Sequence, residues 1–133
     1  MGAPDATPLS APPRLSATVG GPLREVTSTT VVDPSDRIFA GHYPNFPIFP
    51  GVCLVESAHQ SFLAAARGDG QHATLLGIDS VRFRGPVFPG DEVTTWIQIK
   101  ANADLSWRCA ARLATARGDA ATVRLRYTLE AAT

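Results

Sequence analysis

The sequence has few of the features that mark secreted, membrane-spanning or nucleic-acid-binding proteins. It contains two cysteines among 133 residues, and its formal net charge at neutral pH is zero. Two cysteines without metal-ligand spacing give neither a disulfide framework nor a zinc site, so a reduced, cytoplasmic protein is expected. A balanced charge gives no reason to expect binding to nucleic acid or to an anionic membrane. No apolar run approaches the roughly 20 residues of a membrane-spanning helix.

The length and composition are those of one small domain. A chain of 133 residues can bury one modest hydrophobic core. The opening segment, MGAPDATPLSAPP, is rich in proline and small residues, and it has no basic stretch followed by an apolar one. We therefore expect a disordered leader over residues 1–13 rather than a signal peptide. Residues 14–133 are expected to form the single domain.

The hydrophobic pattern beyond the leader predicts one long helix and five or six antiparallel strands. Strand-like stretches, rich in β-branched residues or alternating between apolar and polar, are RLSATVGGPLREVTSTTVV, LLGIDSVRF, EVTTWIQIKAN, SWRCAARLAT and TVRLRYTLE. Alternation of apolar and polar residues with a period of two predicts sheets with one solvent-exposed face. The stretch VCLVESAHQSFLAAAR, followed by Gly68, predicts a helix whose apolar first turns are surrounded by other elements. An α+β fold, in which an antiparallel sheet wraps one helix, accounts for this pattern.

The most unusual stretch is GHYPNFPIFPGVCLVESAHQ, which runs into the predicted helix. Its prolines Pro44, Pro47 and Pro50 recur every third residue, which is the period of a stiff polyproline II segment. His42 precedes the prolines, and Glu56 follows them in apolar surroundings where an unpaired carboxylate is costly. Taken alone, such a histidine is more often structural than catalytic. Taken alone, such a glutamate could instead pair with an arginine.

This stretch resembles the active-site segment of FabZ-type 3-hydroxyacyl-acyl-carrier-protein dehydratases. Residues 41–60 follow that family's pattern, G-H-F-P-x-x-P-x-x-P-G-V-x-x-x-E-x-x-x-Q, with His42 and Glu56 fourteen residues apart. A second stretch, SVRFRGPVFPGDEV, resembles the family's R-F-x-x-P-V-x-P-G-D segment. The resemblance implies a hot-dog fold, in which an antiparallel sheet wraps one long central helix. It also implies a homodimer with active sites at the subunit interface, where His42 of one chain meets Glu56 of the other.

The resemblance further implies roles in removing water from a 3-hydroxyacyl thioester held by an acyl carrier protein. His42 would be the base that takes the C2 proton. Glu56 would protonate or orient the leaving hydroxyl, because a carboxyl in buried surroundings favours its neutral form. The backbone N–H groups of Gly51 and Val52, unpaired at the helix start, would stabilise the charge on the thioester oxygen. A glycine would let that oxygen approach the backbone closely.

Two further candidates have ordinary alternative explanations. Gln60 lies one helical turn after Glu56 and could hydrogen-bond to it or simply add polarity to the core. Phe83 could line the acyl tunnel or pack in the core. Arginines of the strand-like stretches could meet an acidic carrier protein or form a solvated face, namely Arg82, Arg84, Arg108, Arg112, Arg124 and Arg126. No metal or diffusible cofactor is expected, because the elimination exchanges no electrons and His59 and His72 lack partners at a metal-binding spacing.

Two other functions remain open from the sequence. A hot-dog acyl thioesterase would need a water-activating carboxylate and no paired histidine. A non-catalytic or heterodimer-forming partner subunit would not need both candidate catalytic residues. The His42–Glu56 pair argues against each. The sequence departs from the resembled pattern at His59, where a small residue is usual, and in its N-terminal segment. The pathway, fatty-acid synthesis or polyketide-type chain assembly, is therefore left open.

Overall fold

The structure is a computed structural model that describes residues 14–19, 23–33 and 49–132, with only the backbone described for residues 14–19 and 23. The predicted disordered leader over residues 1–13 lies outside the described residues. The proline-rich stretch up to Ile48, which includes His42, also lies outside them.

Six antiparallel strands and one long helix form the described fold. The strands are β1 (Arg14–Val19), β2 (Leu23–Val31), β3 (Gln71–Phe83), β4 (Glu92–Ala101), β5 (Trp107–Thr115) and β6 (Gly118–Ala131), and the helix is α1 (Gly51–Gly68). They pair in one sheet in the order β1-β2-β4-β5-β6-β3. This confirms the predicted α+β architecture of an antiparallel sheet against one helix. Two strands are longer than their patterns predicted, since β3 begins at Gln71 and β6 at Gly118.

The hydrophobic core lies between α1 and the inner face of the sheet. Its largest fully buried side chains are Tyr127, Phe62, Ile97, Leu113 and Leu125. Burying each large apolar side chain stabilises the fold by about 1.5–3 kcal/mol. Cys53 of the helix is fully buried as well. In the parts of the chain that are described, no helix combines the length and apolarity of a membrane span.

Small side chains let α1 approach β2 closely and fix its position along the sheet. Ser57 and Ser61 are buried on the sheet-facing side of the helix, and Ser28 is buried on β2. The hydroxyls of Ser28 and Ser61 are 2.8 Å apart, and the Ser61 hydroxyl also donates to the carbonyl of Ser57 at 2.9 Å. A helix sliding along the sheet would leave the buried Ser28 hydroxyl without its partner on Ser61, which is costly. The start of α1 therefore stays at a fixed place on the sheet.

One side of α1 is open, so the prediction that its first turns are surrounded is wrong for the described chain. Val52 is 67 % exposed, and Glu56, His59 and Gln60 are only partly buried. These residues are three or four positions apart along the helix and therefore share one face. The sheet covers the opposite face. The open face thus carries the glutamate that the sequence singled out.

The inner face of the sheet continues onto edge strand β3, where it is only partly covered among the described residues. Directly opposite residues of antiparallel strands point to the same face. The β3 residues opposite buried residues of β6 pair as Leu75↔Tyr127, Ile78↔Leu125, Val81↔Val123 and Phe83↔Ala121. Yet Ile78 is 54 % and Phe83 is 56 % exposed. An apolar strip therefore runs along the free edge of the sheet, beside the open face of α1.

Candidate active site

Helix α1 begins with two backbone donors that have no partner in the described part of the chain. Pro50 is the N-cap, with extended backbone (φ −62°, ψ 144°) and no side-chain capping bond, and no acidic side chain lies in the first turn. The N–H of Cys53 donates to the Pro50 carbonyl at 3.0 Å. The N–H groups of Gly51 and Val52 have no acceptor among the residues that are described. Two donors at the positive end of the helix dipole can therefore receive an electron-rich oxygen.

The second sequence motif supports this helix start. The N–H of Phe49, two residues before Gly51, donates to the carbonyl of Val87 at 2.7 Å. The same loop is tied to the end of β2, because the Gly90 N–H donates to the Val32 carbonyl at 2.7 Å and the Val32 N–H donates to the Asp91 carbonyl at 2.8 Å. The stretch containing Val87 and Asp91 thus acts as a brace between β2 and the start of α1.

The carboxylate of Asp91 closes this brace. It accepts the N–H of Phe88 at 2.7 Å and forms an ion pair with Arg117, whose guanidinium also lies 4.9 Å from the centre of the Phe88 ring. Partial burial alone would raise the pKa of Asp91, but the hydrogen bonds from Arg117 and the Phe88 N–H outweigh it and lower the pKa. Asp91 therefore remains a charged acceptor that keeps the turn in one shape.

Phe83 lies across the start of α1, and Gly51 makes room for it. A Cβ built on Gly51 would lie 2.6 Å from Cζ of the Phe83 ring and 2.8 Å from its Cε1. Any larger residue at position 51 would have to displace the ring. Because Phe83 is 56 % exposed, it does not belong to the buried core of the described residues, contrary to the core alternative. The contact gives Gly51 a second reason to be glycine, besides the close approach of a substrate oxygen.

Glu56 lies on the open face of α1 and is held there by Gln60. The side-chain amide of Gln60 donates to Oε2 of Glu56 at 2.6 Å. This confirms the hydrogen-bonding prediction for Gln60. Within the described part of the chain, no ion pair includes Glu56, so the alternative of a pairing arginine is not supported there. The carboxyl group is fixed in orientation and is not neutralised by a cation from these residues.

Sequence reasoning missed a polar pair beside Glu56. Nδ1 of His59 lies 2.8 Å from the hydroxyl of Tyr127, and the two rings are parallel within 6°. Tyr127 occupies an inward position in the alternation of β6, and that alternation gives no sign of a polar partner. Burial lowers the pKa of His59, although the nearby Glu56 carboxylate acts in the opposite direction. His59 follows Glu56 by three residues, so the two side chains lie on the same helix face. This spacing is the sequence signal that could have suggested an interaction between His59 and Glu56.

The candidate site residues thus fall into two adjoining groups. Gly51, Val52 and Phe83 meet at the start of α1, while Glu56 and Gln60 lie further along its open face. His42 lies outside the described residues, so its place relative to Glu56 remains a prediction from the sequence.

Comparison with protein families and curated proteins points to dehydratases. Residues 22–121 match the ApeI-like family, described as ApeI dehydratase. The 3-hydroxyacyl-[acyl-carrier-protein] dehydratase FabZ of Symbiobacterium thermophilum is 37% identical over 84 residues, 60% of this chain and 59% of the relative. The FabZ of Ehrlichia ruminantium is 31% identical over 100 residues, 69% of each chain. The chain spans between half and three fifths of several other FabZ relatives.

Solved structures share the fold at low sequence identity. A hypothetical thioesterase from Streptococcus pneumoniae, solved with coenzyme A, superposes with a TM-score of 0.73 at 14% identity, covering 98% of this chain and 92% of the other. A hot-dog-like protein from Thermanaerovibrio acidaminovorans gives a TM-score of 0.68 at 14% identity, covering 80% and 81%. Such likeness shows the fold alone, and it confirms the predicted hot-dog fold.

Proposed function

The chain belongs to the FabZ-type and ApeI-like hot-dog dehydratases, and from this we propose that it converts a (3R)-hydroxyacyl thioester into the trans-2-enoyl thioester and water. The substrate would be bound to an acyl carrier protein, in fatty-acid or polyketide-type chain assembly. The observation that carries the proposal is the placement of Glu56, which Gln60 orients on the open face of the helix that presents the Gly51 and Val52 N–H groups.

The reaction needs a base, an acid and donors for an oxygen that gains charge. His42 takes the proton from C2, and the electrons of that C–H bond form the C2=C3 double bond. The N–H groups of Gly51 and Val52 donate to the thioester oxygen, on which negative charge develops. Glu56 gives its proton to the C3 hydroxyl, so that the C3–O bond breaks and water leaves. Transfer of the proton from His42 back to Glu56 would restore both groups.

The test uses the reverse reaction. Purified protein is incubated with a crotonyl thioester, on acyl carrier protein and on coenzyme A, and the product is identified by mass. We expect addition of water to give a 3-hydroxybutyryl thioester. Release of free crotonate would instead indicate a thioesterase. A folded protein that does neither, with short or longer acyl chains, would indicate a subunit that needs a different partner, and would overturn the proposal for this chain alone.

The close contact between Gly51 and Phe83 predicts a loss of activity when it is disturbed. Gly51→Ala should push the Phe83 ring away and misplace the helix start, lowering kcat/KM by about tenfold to a hundredfold. Gly68→Ala is the matched control, because nothing lies within 4 Å of a Cβ built there. Adding Phe83→Ala to Gly51→Ala should relieve the clash and restore the position of the helix start, seen as a recovered melting temperature. If Gly51→Ala and Gly68→Ala have equal activity, the contact between Gly51 and Phe83 does not have this role.

A homodimer is part of the proposal, and edge strand β3 supports it. Among the described residues, no strand pairs with the outer edge of β3, and this strand exposes the apolar side chains of Leu75, Ile78 and Phe83. Native proteins rarely leave such an edge uncovered. A second copy of the chain would cover it, in keeping with the family resemblance, which implies that His42 of one chain meets Glu56 of the other. The buried cysteines Cys53 and Cys109 form no disulfide within the described residues, which is compatible with the reduced, cytoplasmic location that we also propose.

The outer face of the sheet supports the proposed carrier protein as partner. Arg82 and Arg84 flank Phe83 on either side, and successive side chains of an extended segment point to opposite faces. They line an outer trough of about 840 Å³ together with Arg112, Arg124 and Trp96. Within the described residues, neither Arg82 nor Arg84 nor Arg124 forms an ion pair. A cationic surface that begins at the candidate site suits an acidic protein that delivers a tethered substrate.

The double variant Arg82→Gln/Arg124→Gln tests this surface. Each lost charge contact is worth up to about 1 kcal/mol, so losing both should raise KM for a carrier-bound thioester severalfold, up to about thirtyfold. The kcat/KM for a small uncharged thioester, such as the N-acetylcysteamine derivative, should not change. Arg67→Gln, an exposed arginine at the far end of α1, is the matched control. Equal effects on the carrier-bound and the small substrate would contradict docking at this face.

A further inference from the structure

The pair formed by His59 and Tyr127 places a titratable ring next to the candidate acid. His59 follows Glu56 by three residues on α1, and Tyr127 projects from β6 beneath it. Tyr127 is fully buried and also stacks on Phe62, with ring centres 3.8 Å apart. His59 is clamped by a hydrogen bond and a ring stack, whereas an ordinary half-buried histidine would be free to rotate. This arrangement lies outside the machinery proposed above.

The hydrogen bond determines where the protons lie. Burial raises the pKa of Tyr127, so its hydroxyl keeps its proton. Among the described residues the only partner of that hydroxyl is Nδ1 of His59, so it donates there and Nδ1 accepts. His59 then carries its own proton on Nε2 and is neutral. A charged His59 would place a second proton on Nδ1, and the buried Tyr127 hydroxyl would lose its acceptor, which is costly.

We propose that His59 is a positioning residue for Glu56, clamped by Tyr127 as a neutral Nε2–H imidazole so that no cation stands beside the carboxyl group that must give up a proton. The inference rests on the proposed function, in which Glu56 is the acid. A positive charge one helical turn away would stabilise the Glu56 carboxylate and so withhold the proton from the leaving hydroxyl. Tyr127 would thereby act on the reaction through His59, without touching the substrate.

The titratable groups around His59 agree with this assignment. Glu56 faces it from its own helix, Tyr127 from β6, and Cys109 lies behind Tyr127 on β5. Burial raises the pKa of Cys109 to about 12, so its thiol is neutral. Burial lowers the pKa of His59, and the opposing effect of Glu56 is smaller. His59 therefore stays neutral at neutral pH and gains its charge only below its ordinary value of 6.5.

The first experiment compares pH profiles. The hydration rate of a crotonyl thioester is measured between pH 5 and 8 for the wild type and for His59→Gln, which cannot gain a charge. Effects of His42 cancel in the rate ratio, because both proteins contain it. The ratio of variant to wild type should be constant near pH 7.5 and rise at acid pH, by up to about tenfold per pH unit once His59 charges. A merely structural role would give a ratio that does not depend on pH.

Three further variants sharpen the comparison. Tyr127→Phe keeps the ring but removes the hydroxyl that favours the neutral imidazole, so its rate should begin to fall at a higher pH than that of the wild type. His59→Lys should lower kcat about tenfold or more relative to His59→Gln at every pH. His72→Gln, an exposed histidine on β3, should follow the wild-type profile. If Tyr127→Phe does not fold, the pH dependence of the rate ratio between His59→Gln and the wild type still tests the proposal.

The second experiment does not depend on activity. Nitrogen chemical shifts of the His59 ring, measured by NMR on the wild-type protein at pH 7.5, report the tautomer directly. We expect an unprotonated Nδ1 and a protonated Nε2. A protonated Nδ1, or a rate ratio that does not vary with pH, would overturn the inference. If no thioester is hydrated but the tautomer is as expected, the proposed function fails and the clamp itself stands.

Discussion

Replacing Glu56 by glutamine is expected to lower the hydration rate of a crotonyl thioester by about a hundredfold or more, the usual contribution of a general acid or base. The change removes the ionisable proton but little else. The amide oxygen of the new side chain can still accept the hydrogen bond that Gln60 now donates to Glu56 at 2.6 Å. The helix face therefore keeps its arrangement. The quantity to measure is kcat, alongside the melting temperature as a test of folding.

The control for this variant is Glu130→Gln, which removes an exposed carboxylate from β6 and should leave kcat unchanged. His42→Ala should cause a loss similar to that of Glu56→Gln, since it removes the proposed base. The double variant should lose little more than either single variant, because a base and an acid that act in one step are not additive. A folded Glu56→Gln protein within threefold of the wild-type rate would mean that Glu56 is not the acid.

A charged residue on the free edge of β3 is expected to abolish both dimerisation and activity. Ile78 is 54 % exposed and stands opposite the buried Leu125. In a dimer that covers this edge, Ile78→Arg would bury an unpaired charge at a cost of several kcal/mol. Each 1.4 kcal/mol weakens association tenfold. The mass in solution, measured by light scattering or sedimentation, should fall to that of one chain, and hydration should fall with the remaining dimer fraction.

Leu105→Arg is the matched control for Ile78→Arg. Leu105 is 87 % exposed in the connection between β4 and β5, away from the β3 edge. The Leu105→Arg variant should keep the wild-type mass in solution and the wild-type hydration rate. A wild-type protein that is monomeric yet fully active would refute the shared active site, because Glu56 would then meet its base within one chain.

Local patterns in the sequence were enough to predict the elements of the fold and their class. Alternation along SWRCAARLAT corresponds to β5, and the helix ends at Gly68 as its stop signals predicted. The hydrophobic pattern also predicted a helix that follows Pro50 and contains Glu56. These features depend on neighbours a few residues away, which is the range over which periodicity and capping act.

Features that depend on distant parts of the chain were not predictable. The partner of Tyr127 is His59, 68 residues earlier in the chain, and nothing in the alternation of β6 marks a hydroxyl that needs it. The prediction that Val52 is buried by its own chain was wrong. An apolar residue gives the same sequence pattern whether its own chain or a partner would cover it. The contact between Gly51 and Phe83 likewise depends on where β3 lies relative to the helix start.

The place of β3 in the sheet has a consequence for how the chain is made. β3 follows α1 directly in sequence, but its hydrogen-bonding neighbour is β6, which begins at Gly118. During synthesis β3 therefore emerges from the ribosome well before the strand that pairs with it. Until β6 has been translated, both edges of an apolar strand are unpaired, which is the condition under which nascent chains aggregate. The chain is thus expected to complete its sheet only after β6 has emerged, and to depend on chaperones until then.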